Sequence, residues 1–124
     1  MVFVGNLRKG AVNPSGKRFR VDRSSPLGNP FWMQSEFHRD AVCDEYDRWF
    51  HESILKGGPL TPLENKNDSI RKAWDYLLML LDEARKGDIV LMCWCTPKRC
   101  HAQTISKWIT EQLEGTTNDN VQGL

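Results

Sequence analysis

Six consecutive apolar residues, Ile89 to Trp94, stand between Asp88 and a segment that turns polar within two positions. The run falls well short of the ~20 residues a membrane span requires. It lacks the alternation of a half-exposed strand, so it predicts a central strand covered on both faces. It leads through Cys95, Thr96 and Pro97 into a helical pattern expected from about Lys98 to just before Gly115, with Ile105, Trp108, Ile109 and Leu113 on its apolar side. A buried strand feeding a helix is a βα unit. The fold class expected is α/β: a small Rossmann-like three-layer domain, with a short, mainly parallel sheet and helices on both faces.

The remaining elements follow from periodicity. Met1 to Leu7 reads as a first strand, in which Gly5 permits a close backbone approach. Lys17 to Asp22 alternates Phe19 and Val21 with charged residues and reads as a second strand. The two form a hairpin or flank a longer crossing loop. Ser35 is the expected N-cap of a helix to about Leu55, with Phe37, Ala41, Tyr46, Trp49, Phe50 and Ile54 facing inward. Lys56 to Lys66 is loop. Asp68 opens a second helix to Lys86, with Ile70, Ala73, Trp74, Leu77, Leu78 and Leu81 inward and Gly87 as the C′ residue.

The chain has 124 residues and a net charge of +1. That length fits one domain, here residues 1–115, followed by a polar tail over 116–124. A charge so near zero gives no indication of nucleic-acid binding. No secretory leader and no membrane segment is recognisable, so a cytoplasmic protein with reduced thiols is expected.

The chemistry concentrates in two irregular segments. In the first, Cys93, Trp94, Cys95, Lys98, Arg99, Cys100 and His101 gather where a strand ends and a helix begins, a place where amides and the helix dipole favour anions. Three uses are open. Cys93, Cys95, Cys100 and His101 are zinc-type ligands, but Cys-x-Cys followed by an adjacent Cys-His pair lacks the spacing of a structural site, so no cofactor is expected and zinc is disfavoured. Cys93 and Arg99 share the Cys-x5-Arg spacing of phosphatase loops, yet the loop has no glycine and Pro97 removes one amide. Cys100, taken to lie in the first helical turn with a lowered thiol pKa, is the better nucleophile, and His101 stands beside it as its partner. Against these readings, buried cysteines often only fill space. The second segment is Arg23 to Phe31, where Arg23, Ser24, Ser25, Gly28 and Asn29 can present ligand-binding groups on a rigid Pro-Leu-Gly-Asn-Pro loop. If both segments meet at one end of the sheet, a cleft forms between them. His38 and His51 read as surface residues and Cys43 as a core filler.

Asn6-Leu7-Arg8-Lys9, Ser25-Pro26-Leu27-Gly28-Asn29-Pro30-Phe31, and Cys93-Trp94-Cys95-Thr96-Pro97 with Cys100-His101 together resemble domain-of-unknown-function family 4326, over residues 1 to about 113. The intervening helix with Tyr46 and Trp49 fits the same order. The family is frequent in phage and bacterial genomes. The resemblance implies a Rossmann-like domain of the nucleotide-handling kind, and it supplies no reaction. This chain departs from the pattern in a longer basic loop, Gly10 to Lys17.

The expectation is therefore a phage-type domain of the host cytoplasm that binds, or binds and processes, a nucleotide-like small molecule at the strand ends. Phosphate would go to Arg23 and the helix start, and the base beside Trp32 or Trp94. Such a domain would serve nucleotide or base modification, or counter-defence. The alternatives are a Cys/His-dependent transferase or hydrolase using Cys100 and His101, and a module that docks on a host protein. Oligomeric state is not encoded in any pattern read here.

Overall fold

The structure is a computed structural model and describes residues 1–31, 33–56, 68–95 and 98–122, with side chains to Gly115. The elements are β1 (Val2–Asn6), β2 (Lys17–Arg20), a 3-10 turn (Glu36–His38), α1 (Arg39–Trp49), a π-helical turn (Phe50–Leu55), α2 (Asp68–Lys86), β3 (Ile89–Cys93) and α3 (Ala102–Gln122). The three strands form one parallel sheet in the order β1-β3-β2. This is the α/β, small Rossmann-like architecture expected from the sequence. Among the described residues no helix is long and apolar enough to cross a membrane.

β3 is central and buried at all five positions, as its unbroken apolar run requires. Ile89, Leu91 and Cys93 point into the main core. There they meet Tyr46, Phe50 and Ile54 from the first helical segment, Ala73, Leu77, Leu80, Leu81 and Ala84 from α2, and Ile105 and Ile109 from α3. On the opposite face, Val90 and Met92 pack beneath Gly5, where an added Cβ would lie 2.8 Å from both Asn13 Oδ1 and Val90 Cγ1. The close approach predicted at Gly5 is therefore present. Asn13 also closes the outer edge of β1: its Oδ1 accepts from the Asn6 amide at 2.7 Å, and its Nδ2 donates to the Asn6 carbonyl at 3.0 Å. The side chain thereby stands in for a fourth strand on an edge otherwise open to pairing.

Several local expectations change. β1 and β2 do not form a hairpin, because each pairs with β3 and the loop between them crosses over. Phe37 is 98% exposed. It sits in the 3-10 turn, whose tighter winding rotates it out of phase with the α-helical stripe that follows. Ala41 is also exposed, and Val42 and Cys43 take the inward positions. Ser35 does precede the helix, but its hydroxyl meets His38 Nδ1 at 3.1 Å instead of capping an amide. Leu78 lies at the edge of the α2 stripe and is 42% exposed. Gly87 follows α2 without adopting a left-handed φ. α3 starts at Ala102, later than Lys98, and continues through Gly115 to Gln122, so the tail expected from Thr116 begins inside a helix. A single helical glycine costs only about 1 kcal/mol and need not end it. Trp32, Thr96, Pro97 and most of the loop from Lys56 to Lys66 lie outside the described residues.

One buried polar bond ties the Pro-Leu-Gly-Asn-Pro loop to the core. Tyr46 is fully buried and donates its hydroxyl to the Leu27 carbonyl at 2.7 Å. Tyr46→Phe should cost about 1 kcal/mol, since it leaves that carbonyl unsatisfied. Urea unfolding would show this as a lower midpoint at unchanged slope.

Candidate functional site

Parallel strands all end on the same side, and here Asn6, Val21 and Cys93 mark that end of the sheet. The chain after β2 folds into two consecutive turns, with the Ser25 amide on the Asp22 carbonyl at 2.9 Å and the Gly28 amide on the Ser25 carbonyl at 3.0 Å. That path brings Arg23, Asn29 and Phe31 opposite the segment following β3. Between them lies a cleft of about 330 Å³, with Met33, Arg39, Val42 and Cys43 forming its third side. The two irregular segments singled out in the sequence thus meet in space.

The cleft lining includes Arg23, Asn29, Cys93, Trp94, Cys95, Arg99, Cys100 and His101. The other four candidates lie outside it. Ser24 and Ser25 turn inward, onto the Asp22 carboxylate at 2.5 Å and the Asp22 carbonyl at 2.9 Å. Gly28 is where the loop presses on itself, and Lys98 pairs with Glu36 at 3.3 Å.

The thiols are ordered differently from the sequence expectation. Cys100 precedes α3 and is buried, and its sulfur lies 3.0 Å from that of Cys93. Its S–H donates to Cys93; that bond first, with the neighbouring Cys95 and burial, pushes its pKa up, although the Ala102 amide opposes the shift. Position next to a helix N-terminus is outweighed by the Cys93 acceptor and burial. The lowered thiol is Cys95, half-buried at the cleft wall. Cys100 first, and then the Arg39 guanidinium, lower it against the cost of desolvation.

His101 is buried and its Nε2 donates to the Val21 carbonyl, which fixes the neutral tautomer and leaves Nδ1 facing Cys100 Sγ at 3.5 Å. Burial lowers its pKa, so it stays uncharged. The Cys-x5-Arg reading loses its arginine: Arg99 is held by Asp40 at 3.0 Å and Asp44 at 2.7 Å. Cys93, for its part, is buried and directed at the Gly5 carbonyl. Among the described residues no group of three or more His, Cys, Asp or Glu side chains is arranged to hold a metal ion.

Two residues of the site escaped the sequence reading. Asp22, at the end of β2, is buried and accepts from Arg20, from Ser24 and from the Trp94 indole nitrogen at 2.9 Å. The Arg20 bond, then Ser24 and Trp94, hold its carboxyl well below the usual range despite desolvation. Its position was the available signal, because it is the lone acid among basic residues at a strand C-terminus. The result is a tryptophan that remains 50% exposed at the cleft but is fixed by its polar edge. Arg39 is the second. It binds Glu36 at 2.7 Å and the Arg99 carbonyl at 2.9 Å, so it joins α1 to the segment after β3.

Searches of curated proteins and of solved structures return no match. The family model described as Domain of unknown function (DUF4326) matches residues 6–111, a span that contains every residue lining the cleft. The chain belongs to that family.

Proposed function

We propose that the cleft binds a nucleotide or nucleotide-derived small molecule. The observation that carries this reading is the pairing of a pinned, half-exposed indole, Trp94, with an arginine-bearing, otherwise apolar cleft at the strand ends. An aromatic face held by its polar edge offers stacking area at little entropic cost. Phe31, Met33 and Val42 supply the apolar remainder. Arg23 donates to the Phe31 carbonyl at 3.0 Å and stands on the loop side of the cleft, where a phosphate would meet it and the start of α3. The volume, about 330 Å³, is at the small end of the ~300–1,000 Å³ range of ligand sites, which suits a mononucleotide better than a dinucleotide. In a phage-encoded, cytoplasmic setting such binding would serve nucleotide or base modification or counter-defence.

A thermal-shift series with nucleoside mono- and diphosphates and ADP-ribose tests the reading. Ligand at a hundred times its Kd stabilises by ~2.7 kcal/mol. Absence of any shift at millimolar concentration would remove it. Trp94→Ala should raise the Kd about tenfold or more, in line with ~1–3 kcal/mol per stacked base. Calorimetric titration would check that value.

A second reading, processing of the bound ligand by a thiol, is favoured by the lowered pKa of Cys95 at the cleft wall. The nucleophile would then be Cys95, with Cys100 and His101 lining the same cleft.

A further inference from the structure

Two buried thiols meet in the cleft, and binding a nucleotide has no use for them. Cys93 ends β3, Cys100 stands just before α3, and both line the cleft. Their sulfurs are 3.0 Å apart; the Cys100 S–H donates to Cys93, and the Cys93 S–H donates to the Gly5 carbonyl at 3.7 Å. Cysteines that only fill space meet their neighbours at the ~3.5–4.0 Å of ordinary apolar packing, and this pair is closer. None of the four cysteines is in a disulfide. A disulfide holds its sulfurs about 2.05 Å apart, so a movement of ~1 Å would join these two. Cys100 also faces His101 Nδ1 at 3.5 Å. Because His101 Nε2 donates to the Val21 carbonyl, Nδ1 carries the lone pair and is free to take a proton. Two thiols in contact, a base beside one of them and entry from a cleft are the parts that disulfide formation requires.

We infer that Cys93 and Cys100 are an oxidisable pair, which a small hydroperoxide entering the cleft converts to a disulfide. Cys100 gives its proton to His101 Nδ1 and attacks one oxygen of the peroxide. A sulfur–oxygen bond forms, the oxygen–oxygen bond breaks, and the leaving hydroxide or alkoxide takes the proton from His101. Cys93 then attacks the Cys100 sulfur, and the sulfenic oxygen departs as water with the Cys93 proton. The two thiols lose two electrons and one peroxide gains them, so the step balances. The Cys93 bond and burial hold the Cys100 thiol in its protonated form at rest. The first attack is therefore slow, and the pair answers sustained oxidant instead of trace peroxide. The product ties the end of β3 to the chain entering α3, and the ring it closes carries Trp94 and Arg99, both on the cleft wall. Oxidation thus fixes that wall covalently. The inference does not rest on the nucleotide reading.

Cys95 lines the same cleft and is the competitor that the experiment must separate. Trypsin with chymotrypsin cuts after Trp94, Lys98 and Arg99, so Cys93, Cys95 and Cys100 fall on three different peptides. Millimolar hydrogen peroxide on the full chain, followed by alkylation of the remaining thiols, should link the Cys93 and Cys100 peptides, and dithiothreitol should release them. Cys95→Ser should retain the link. Cys93→Ser should reduce linkage at Cys100 by roughly tenfold or more and leave a Cys100 sulfenic acid that dimedone captures. The wild-type peptide map decides the matter by itself if a variant fails to fold. A link from Cys95 in place of the Cys93–Cys100 link would overturn the proposal. So would Cys93 and Cys100 that stay reduced under prolonged peroxide, or that reach sulfinic acids with no link formed. The link without any nucleotide-induced thermal shift would remove the nucleotide reading and uphold the pair.

Discussion

Gly28→Ala lowers the melting temperature by roughly 10 °C, the largest effect expected of any single methyl group in this chain. The added Cβ would lie 2.5 Å from Arg23 Cα and 2.6 Å from the Asp22 carbonyl oxygen. Both are backbone atoms, so no side chain can swing aside, and the two turns from Asp22 to Gly28 must open. Overpacking of this kind costs about 3 kcal/mol. The loss reaches the cleft as well, because the same turns place Arg23 and Asn29 on its wall and hang Leu27 from Tyr46. Gly115→Ala is the contrasting case: nothing lies within 4 Å of its added Cβ, and alanine is the better helix former. Differential scanning calorimetry of both variants separates crowding from a general effect of replacing glycine. Equal melting temperatures for wild type and Gly28→Ala would contradict the loop geometry.

Asp22→Asn comes next in magnitude, at about 3 kcal/mol. The amide preserves shape, but it sets an NH₂ group against Arg20 and the Trp94 indole, both of which donate. Arg20 is half-exposed, so solvent screens its share, and the larger part of the cost comes from the Trp94 bond, since Ser24 keeps the remaining oxygen. The same substitution carries a pH signature. In the folded chain the Asp22 carboxyl is held low, by Arg20 first and then Ser24 and Trp94. Unfolded, it titrates near ~3.9. The stabilisation is therefore fully present above the unfolded value and is lost as pH falls below it toward the folded one. Wild type should lose stability below about pH 4, whereas Asp22→Asn should lose less over the same interval. Glu36, lowered to about 2 by Arg39, contributes to the same acid limb in both proteins and cancels in the comparison. Urea unfolding at pH 7 and pH 3 would measure the difference, and parallel pH curves for the two proteins would refute it.

The parts of the fold that were legible are those whose signal is local. The β3 run and the α2 stripe of Ala73, Leu77 and Leu81 carry their burial in their own periodicity. Phe37 and Leu78 were misplaced because a stripe read at one constant angle ignores a 3-10 start and the narrowness of the face that α2 buries. Strand order was not legible, since no residue of β1 or β2 states that its partner lies beyond residue 88. The site divided in the same way. Arg23, Asn29 and the segment from Cys93 to His101 announced themselves as irregular, donor-rich sequence at element ends. Asp22 and Arg39 did not, because their roles are made by partners 72 residues away for Trp94 and 60 for the Arg99 carbonyl. Which cysteine ionises was hidden for the same reason. The lowering at Cys95 comes from Cys100 first and then from Arg39 of α1, a cation remote in sequence from all three thiols.

The β1-β3-β2 order also governs when the sheet can exist. Val2 pairs opposite Ile89 and Lys17 opposite the same residue, while β1 and β2 share no hydrogen bond with each other. A chain growing from a ribosome therefore exposes two strands early and gives neither a mate until Ile89–Cys93 has been made. Sheet formation is a late, long-range event in which one strand inserts between two that wait, and such topologies fold slowly. A fragment ending before Ile89 would retain helices and both edge strands, yet it would contain no β-sheet.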